Sequence, residues 1–227
     1  MSNDLINAAS PVSPTYIGTR DGMWGSGSGS GDVSGFAGQK RTLSLPAPAS
    51  MPYGEWFDDC IAEIETEVDG AVLQVFVWRG ELSVVTTPAR LLELLRALRD
   101  KPSLRFEICS SVSGVHYPEQ AGGELHVVYQ LLSITHNRRI RIEIALPDAR
   151  PIAPSCVPIY PMANYHERET YDMFGIMFEG HPGLTRILMP DDWEGHPLRK
   201  DYPLGGIPVQ FKGASVPPVE QRRSYQQ

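Results

Sequence analysis

Residues 138–146 read Arg-Arg-Ile-Arg-Ile-Glu-Ile-Ala-Leu, with Ile140, Ile142 and Ile144 alternating against Arg139, Arg141 and Glu143. This period-two pattern is a β-strand with one wet and one dry face, and the dry face needs an apolar layer laid over it. The residues upstream supply both the neighbouring strands and the cover.

Two further strands are predicted at 104–112 and 124–134, with His136 and Asn137 at the turn into 138–146. Earlier still, VLQVFVW (72–78) and ELSVV (81–85) flank Arg79-Gly80, a two-residue connection that reads as a hairpin. Phe57, Ile61, Ile64 and Val68 recur at helical spacing with Glu63, Glu65 and Glu67 between them, predicting a first helix. Thr87 is an N-cap followed by Pro88 at the first helical position, and Leu91, Leu94, Leu95 and Leu98 form one apolar stripe that ends before Pro102. The order α-β-β-α-β-β-β over residues 51–150 predicts a two-layer α+β domain with a mixed or largely antiparallel sheet.

The flanks differ. Residues 1–50 carry GMWGSGSGSGDVSGFAG and few long apolar side chains, so a flexible Gly/Ser-rich arm is expected. Its glycines match neither a dinucleotide fingerprint nor a P-loop. After residue 150 the chain holds 11 of its 20 prolines, which predicts an extended, mostly irregular segment over 151–212 and a polar tail over 213–227. One short helix is expected near 164–174, capped by Asn164 and ended by Gly175. The segment is nonetheless rich in large apolar groups, among them Tyr165, Phe174, Ile187, Leu188 and Trp193. Such groups must be buried, and their number favours burial against another protein.

A formal net charge of −7 with no basic stripe argues against a nucleic-acid partner. No segment approaches the ~20 apolar residues of a membrane-spanning helix, so membrane association is expected through a partner. The opening MSNDLINAAS lacks the basic start and apolar run of a secretory leader, and Cys60, Cys109 and Cys156 lie far apart, as reduced cytoplasmic thiols do. Three scattered thiols do not make the four-thiolate set of the usual iron–sulfur cluster.

Polar residues crowd the last third of the chain, where EGHP occurs twice, at 179–182 and 194–197. His166, Glu169, His181 and His196 are nominally a metal set, but none of the usual ligand spacings links them, and none is assigned. A stand-alone hydrolase using His166, Glu169, His181 or Asp192 is a third-ranked reading. Arg168 and Asp172, at i and i+4, are expected to pair. The alternation of charge through Glu167, Arg168, Glu169, Asp172, Arg186, Asp191, Asp192, Arg199, Lys200 and Asp201 suits a complementary protein surface better than catalysis.

HERETYDMFGIMFEGHPGLTRIL (166–188) and GHPLRKDYPL (195–204) closely resemble the two signature stretches of the C-type or 30 kDa subunit family of the proton-pumping NADH:quinone oxidoreductase, respiratory complex I. Glu167, Arg168, Glu169, Asp172, Phe174, Gly175, His181, Pro182 and Arg186 fall in the first stretch. Gly195, Pro197, Leu198, Arg199, Lys200, Asp201, Tyr202 and Pro203 match the second, with Trp193 between the two. Thr185 departs from the Lys, Arg or Pro that the family commonly has there. The resemblance covers residues 52 to about 212.

The resemblance implies an interface role for all of these residues, with Arg168, Trp193 and Arg199 expected to contribute most, and no catalytic, cofactor or metal residue in this chain. The complex would use FMN, iron–sulfur clusters, NADH and a quinone. The main partner would be the D-type subunit, related to the large subunit of nickel-iron hydrogenases, with the iron–sulfur subunits of B and I type nearby and the membrane arm reached indirectly. The location implied is peripheral, on the cytoplasmic side of the cell membrane. Related subunits occur in membrane-bound hydrogenases and in dehydrogenases that oxidise ferredoxin or deazaflavin, and these form the alternative.

Overall fold

The structure, a computed structural model, describes residues 15–21, 40–45, 47–54, 56–202, 209–211 and 214–216. Helix α1 (Trp56–Glu67) buries Phe57, Cys60, Ile61 and Ile64, one helical face. Its start is fixed by Asp58, whose carboxylate accepts the Tyr53 N–H at 2.8 Å and the Gly54 N–H at 2.9 Å. Strands β3 (Gln74–Trp78) and β4 (Glu81–Thr86) form the expected hairpin. Arg79 (φ 53°) and Gly80 (φ 77°) both adopt left-handed backbone, the geometry that matches a two-residue turn to the twist of its strands.

Helix α2 (Pro88–Asp100) begins as its sequence implies: Thr87 Oγ1 accepts the Arg90 N–H at 3.3 Å. Leu91, Leu94, Leu95 and Leu98 are fully buried, and Leu92 is partly buried. Strands β5 (Ile108–His116), β6 (Leu125–Ser133) and β7 (Arg138–Leu146) complete a five-stranded sheet in the order β3-β4-β7-β6-β5. Only the β4–β7 pair in it is parallel, because the chain leaves β4 through α2 and returns to it after the β5–β6 hairpin. Ile140, Ile142 and Ile144 meet α1 and α2 in one core with Leu82, Val84, Leu125, Val127, Tyr129 and Leu131.

Strand β5 starts later than its sequence suggests. Leu104 and Phe106 are buried as strand residues would be, but Arg105 sits at φ 42° and the Phe106 N–H donates to Leu98 O at 2.8 Å. These residues plug the end of α2 instead of extending the sheet.

Strands β1 (Thr15–Asp21) and β2 (Lys40–Leu45) pair antiparallel within the stretch expected to be a flexible Gly/Ser-rich arm. Both hold β-branched, apolar or aromatic residues such as Tyr16, Ile17, Thr42 and Leu43 that favour extended pairing. The Gly/Ser run itself, at 22–39, lies outside the described residues.

Beyond the sheet, β8 (Ile152–Pro154) and β9 (Met177–Glu179) pair in parallel around α3 (Ala163–Phe174). Helix α3 packs on β5. Asn164 is not its cap: Met162 occupies that position without a side-chain bond, since the buried Ala163 already donates its N–H to Tyr160 O at 2.9 Å. Gly175 ends α3 at φ 80°, as expected, donating to Tyr171 O. A last pair, β10 (Val209–Phe211) and β11 (Ala214–Val216), is antiparallel. Among the described residues no helix is long and apolar enough to cross a membrane.

Candidate functional site

Helix α3 organises nearly every signature residue, and the two EGHP copies strap its opposite ends. In the first copy His181 Nδ1 accepts the Gly183 N–H at 3.0 Å, which leaves the ring proton on Nε2 to donate to Asn164 O at 3.1 Å, at the start of α3. In the second, His196 Nδ1 donates to Asp172 O at 2.9 Å, near its end. Both copies turn through a glycine at φ 82°, Gly180 and Gly195. The His196 ring lies so close over Gly175 that a Cβ there would sit 2.7 Å from it, and the Tyr202 ring crowds Gly195 in the same way at 2.8 Å.

Two of the three acids of α3, Glu167 and Asp172, are buried, while Glu169 is exposed. Glu167 is fully buried, accepting from Ser155 Oγ and from the Cys156 N–H, each at 2.7 Å. Burial pushes its carboxyl up despite those donors. Asp172, also fully buried, has one oxygen accepting three successive backbone N–H groups, Ile187 (3.1 Å), Leu188 (2.7 Å) and Met189 (2.8 Å). Its other oxygen meets Arg186 Nη1 at 2.6 Å. Burial works against ionisation here too, but these backbone donors and Arg186 outweigh it and hold Asp172 below the usual carboxylate range.

The expected Arg168–Asp172 pair is therefore not formed. Arg168 instead donates to Thr185 O (3.2 Å), Thr185 Oγ1 (3.1 Å) and Arg186 O (3.1 Å) and lies over the Tyr165 ring. An adjacent partner four residues away gains less than a loop whose carbonyls need donors. Thr185, where the sequence departs from its family pattern, thus receives a side-chain contact. Arg186 reaches from Asp172 to Trp193 O (2.9 Å) and Gly195 O (3.1 Å), tying the first motif to the second.

The second motif is fastened both to α3 and to the α+β domain. Leu198 N–H donates to Met173 O at 3.1 Å, and Lys200 N–H to His116 Nδ1 at 2.9 Å. Arg199 spans Asp148 (2.7 Å) and Asp201 (2.9 Å), and these hydrogen bonds raise its already high pKa. Phe174 is buried, Pro197 and Trp193 are half-buried, and Glu169, Pro182, Leu198 and Lys200 are exposed. Pro203 lies outside the described residues. Sequence reasoning missed Ser155, Cys156, His116 and Asp148, which only the fold brings to the motif.

His181 and His196 sit at opposite ends of α3, and among the described residues no three His, Cys, Asp or Glu side chains converge on a point that would hold a metal ion. The geometry holds a strap, residues 177–202, against one helix.

Residues 84–208 match the family model described as respiratory-chain NADH dehydrogenase, 30 Kd subunit. The C-type subunit of the NADH-quinone oxidoreductase of a Nocardioides species is 54% identical over 96% of this chain and 90% of its own length. The same subunit of Streptomyces coelicolor is 54% identical over 92% of this chain and 86% of its own. A solved structure of the membrane-bound sulfane sulfur reductase, an archaeal respiratory membrane complex, contains a chain with a TM-score of 0.56 at 23% identity, covering 66% of this chain and 87% of that one, which is a likeness of fold. With the family model spanning more than half the chain and relatives this similar along nearly all of it, the chain belongs to the 30 Kd subunit family of respiratory-chain NADH dehydrogenase, the C-type subunits of NADH-quinone oxidoreductase.

Proposed function

We propose that this chain is a scaffolding subunit in the peripheral arm of the proton-translocating NADH:quinone oxidoreductase, on the cytoplasmic side of the membrane, and that its strap docks on the hydrogenase-like D-type subunit, with the iron–sulfur subunits of B and I type nearby. Electrons pass from NADH through FMN and iron–sulfur clusters to a quinone on other subunits, and this chain contributes register and rigidity with no catalytic residue of its own. The observation that carries the reading is how the signature residues are used. Their hydrogen bonds shape the strap, yet Met162, Tyr165, Met177, Ile187, Leu188 and Leu198, on it and on the helix beneath, are each at least 38% exposed. Large apolar groups left exposed on a hydrogen-bonded support are the composition of a protein interface. The names of the 54%-identical relatives favour NADH as the donor over the hydrogenase-type alternative.

The test is affinity capture of the tagged full-length chain from mildly solubilised membranes. The expected eluate contains a hydrogenase-like large subunit and flavin- and iron–sulfur-containing subunits, and reduces quinone with NADH. Recovery of the chain alone, or without that large subunit, overturns the reading.

A further inference from the structure

We infer that Asp172 is a template that fixes residues 186–189 as a preformed docking knob, whose occupant is an apolar socket rimmed by arginine or lysine on a neighbouring subunit. This rests on the docking role proposed above and deepens it by naming the recognition element and the chemistry it fits.

Three consecutive N–H groups converge on one oxygen only if the backbone curls around that oxygen, as an anion nest does. The curl turns the side chains in between outward: Ile187 is 38% exposed and Leu188 56%, while Met189 packs back on the core. An adjacent Ile-Leu pair gains nothing for the isolated chain in that position. It is held there rigidly all the same, because the Asp172 carboxylate is fully buried and the Arg186 side chain bonded to it is 13% exposed. A knob already fixed in shape loses little freedom on docking, so its apolar area converts more fully into affinity.

The flank identifies the occupant. Asp191, Asp192 and Glu194 are exposed immediately beyond the knob, and none forms an ion pair among the described residues. Three acids beside the apolar pair repel an anionic lipid surface. A second copy in a two-fold contact would set the same acidic rim against itself. A partner protein with basic residues around an apolar pocket satisfies both parts.

The full-length chain is tested in the assembled complex by competition: tagged variant and wild-type chains are co-expressed with the other subunits, and their ratio in the purified complex is measured. Leu188→Ser, an exposed change that leaves the core intact, is expected to enter at least about tenfold less than wild type, the loss typical of an interface anchor. Asp172→Asn is expected to speed hydrogen exchange at 187–189 without changing α1 or α2, and to lower incorporation comparably. Asp191→Lys with Asp192→Lys is expected to lower incorporation and to weaken its salt dependence. Wild-type incorporation of Leu188→Ser overturns the knob, and Asp172→Asn entering normally despite fast exchange at 187–189 overturns the template. Loss of Leu188→Ser competition accompanied by self-association of the chain through this loop, or by binding of the full-length chain to anionic vesicles, overturns the socket. Point variants that behave as wild type in a complex that still captures the large subunit sink this inference alone, whereas failure to capture that subunit sinks the docking role itself.

Discussion

The Phe174 ring occupies the space that a side chain at residue 114 would fill: a Cβ built on Gly114 lies 2.4 Å from Phe174 Cδ2. This contact joins α3, and with it the strap, to β5 of the sheet. Gly114→Ala is expected to force the ring or the helix outward and cost about 1 to 3 kcal/mol, the range for overpacking a filled core. Thermal unfolding of the full-length chain measures it. A midpoint equal to wild type would mean that α3 rests on β5 more loosely than the geometry implies.

Arg186→Met removes the cation from a carboxylate that has no exposed surface. The three backbone N–H groups at 187–189 remain on Asp172, but the Trp193 and Gly195 carbonyls lose their donor. The expected cost is about 3 kcal/mol, at the low end for breaking a buried pair because those N–H groups still offset part of the charge. Urea unfolding checks the size, and proteolysis within 190–202 is expected to quicken as the second motif comes free of the first.

The α+β half was legible because its signals are local. Period-two alternation at Ile140, Ile142 and Ile144, the leucine stripe of α2, and the Thr87-Pro88 start each depend on residues within a few positions. What the sequence hid was contact between distant segments. Thr87 caps a nitrogen three residues on, whereas Glu167 bonds to Ser155 and Cys156, and Lys200 to His116, 84 residues away. The same reason explains why Arg168 and Asp172 do not pair: a spacing rule for an isolated helix surface says nothing of a loop that returns from position 185 to compete for both side chains. Likewise Leu104 and Phe106 alternate like a strand, but the end of α2 offered their apolar groups a nearer place.

All three cysteines are buried, and burial raises Cys60 and Cys109 to about 12 and Cys156 further still, with Glu167 beside it adding to the effect. Reaction needs thiolate, so at pH 8 native protein is expected to leave all three unmodified by an alkylating reagent over a time in which denatured protein loses all three. Mass spectrometry after a timed quench reads this directly. Rapid native labelling of Cys156 would show that the Ser155–Glu167 layer opens readily.

Glu167 predicts the sign of a pH effect. Its folded carboxyl is raised above its ordinary value of 4.5, chiefly by burial, so the native state holds its proton more tightly than the unfolded chain does. Stability from this group is fully present below the unfolded value and is lost as pH rises from there through the raised folded value. Glu167→Gln mimics the protonated form, keeping an oxygen for the Cys156 N–H and a polar amide for Ser155. The variant is therefore expected to match wild type at about pH 4 and to become the more stable of the two with rising pH, levelling once the folded value is passed. Denaturant unfolding at several pH values between about 4 and 8 measures the difference. A gap that narrowed with rising pH would mean that the ionised carboxylate is the form the fold prefers, with the Ser155 and Cys156 donors outweighing burial.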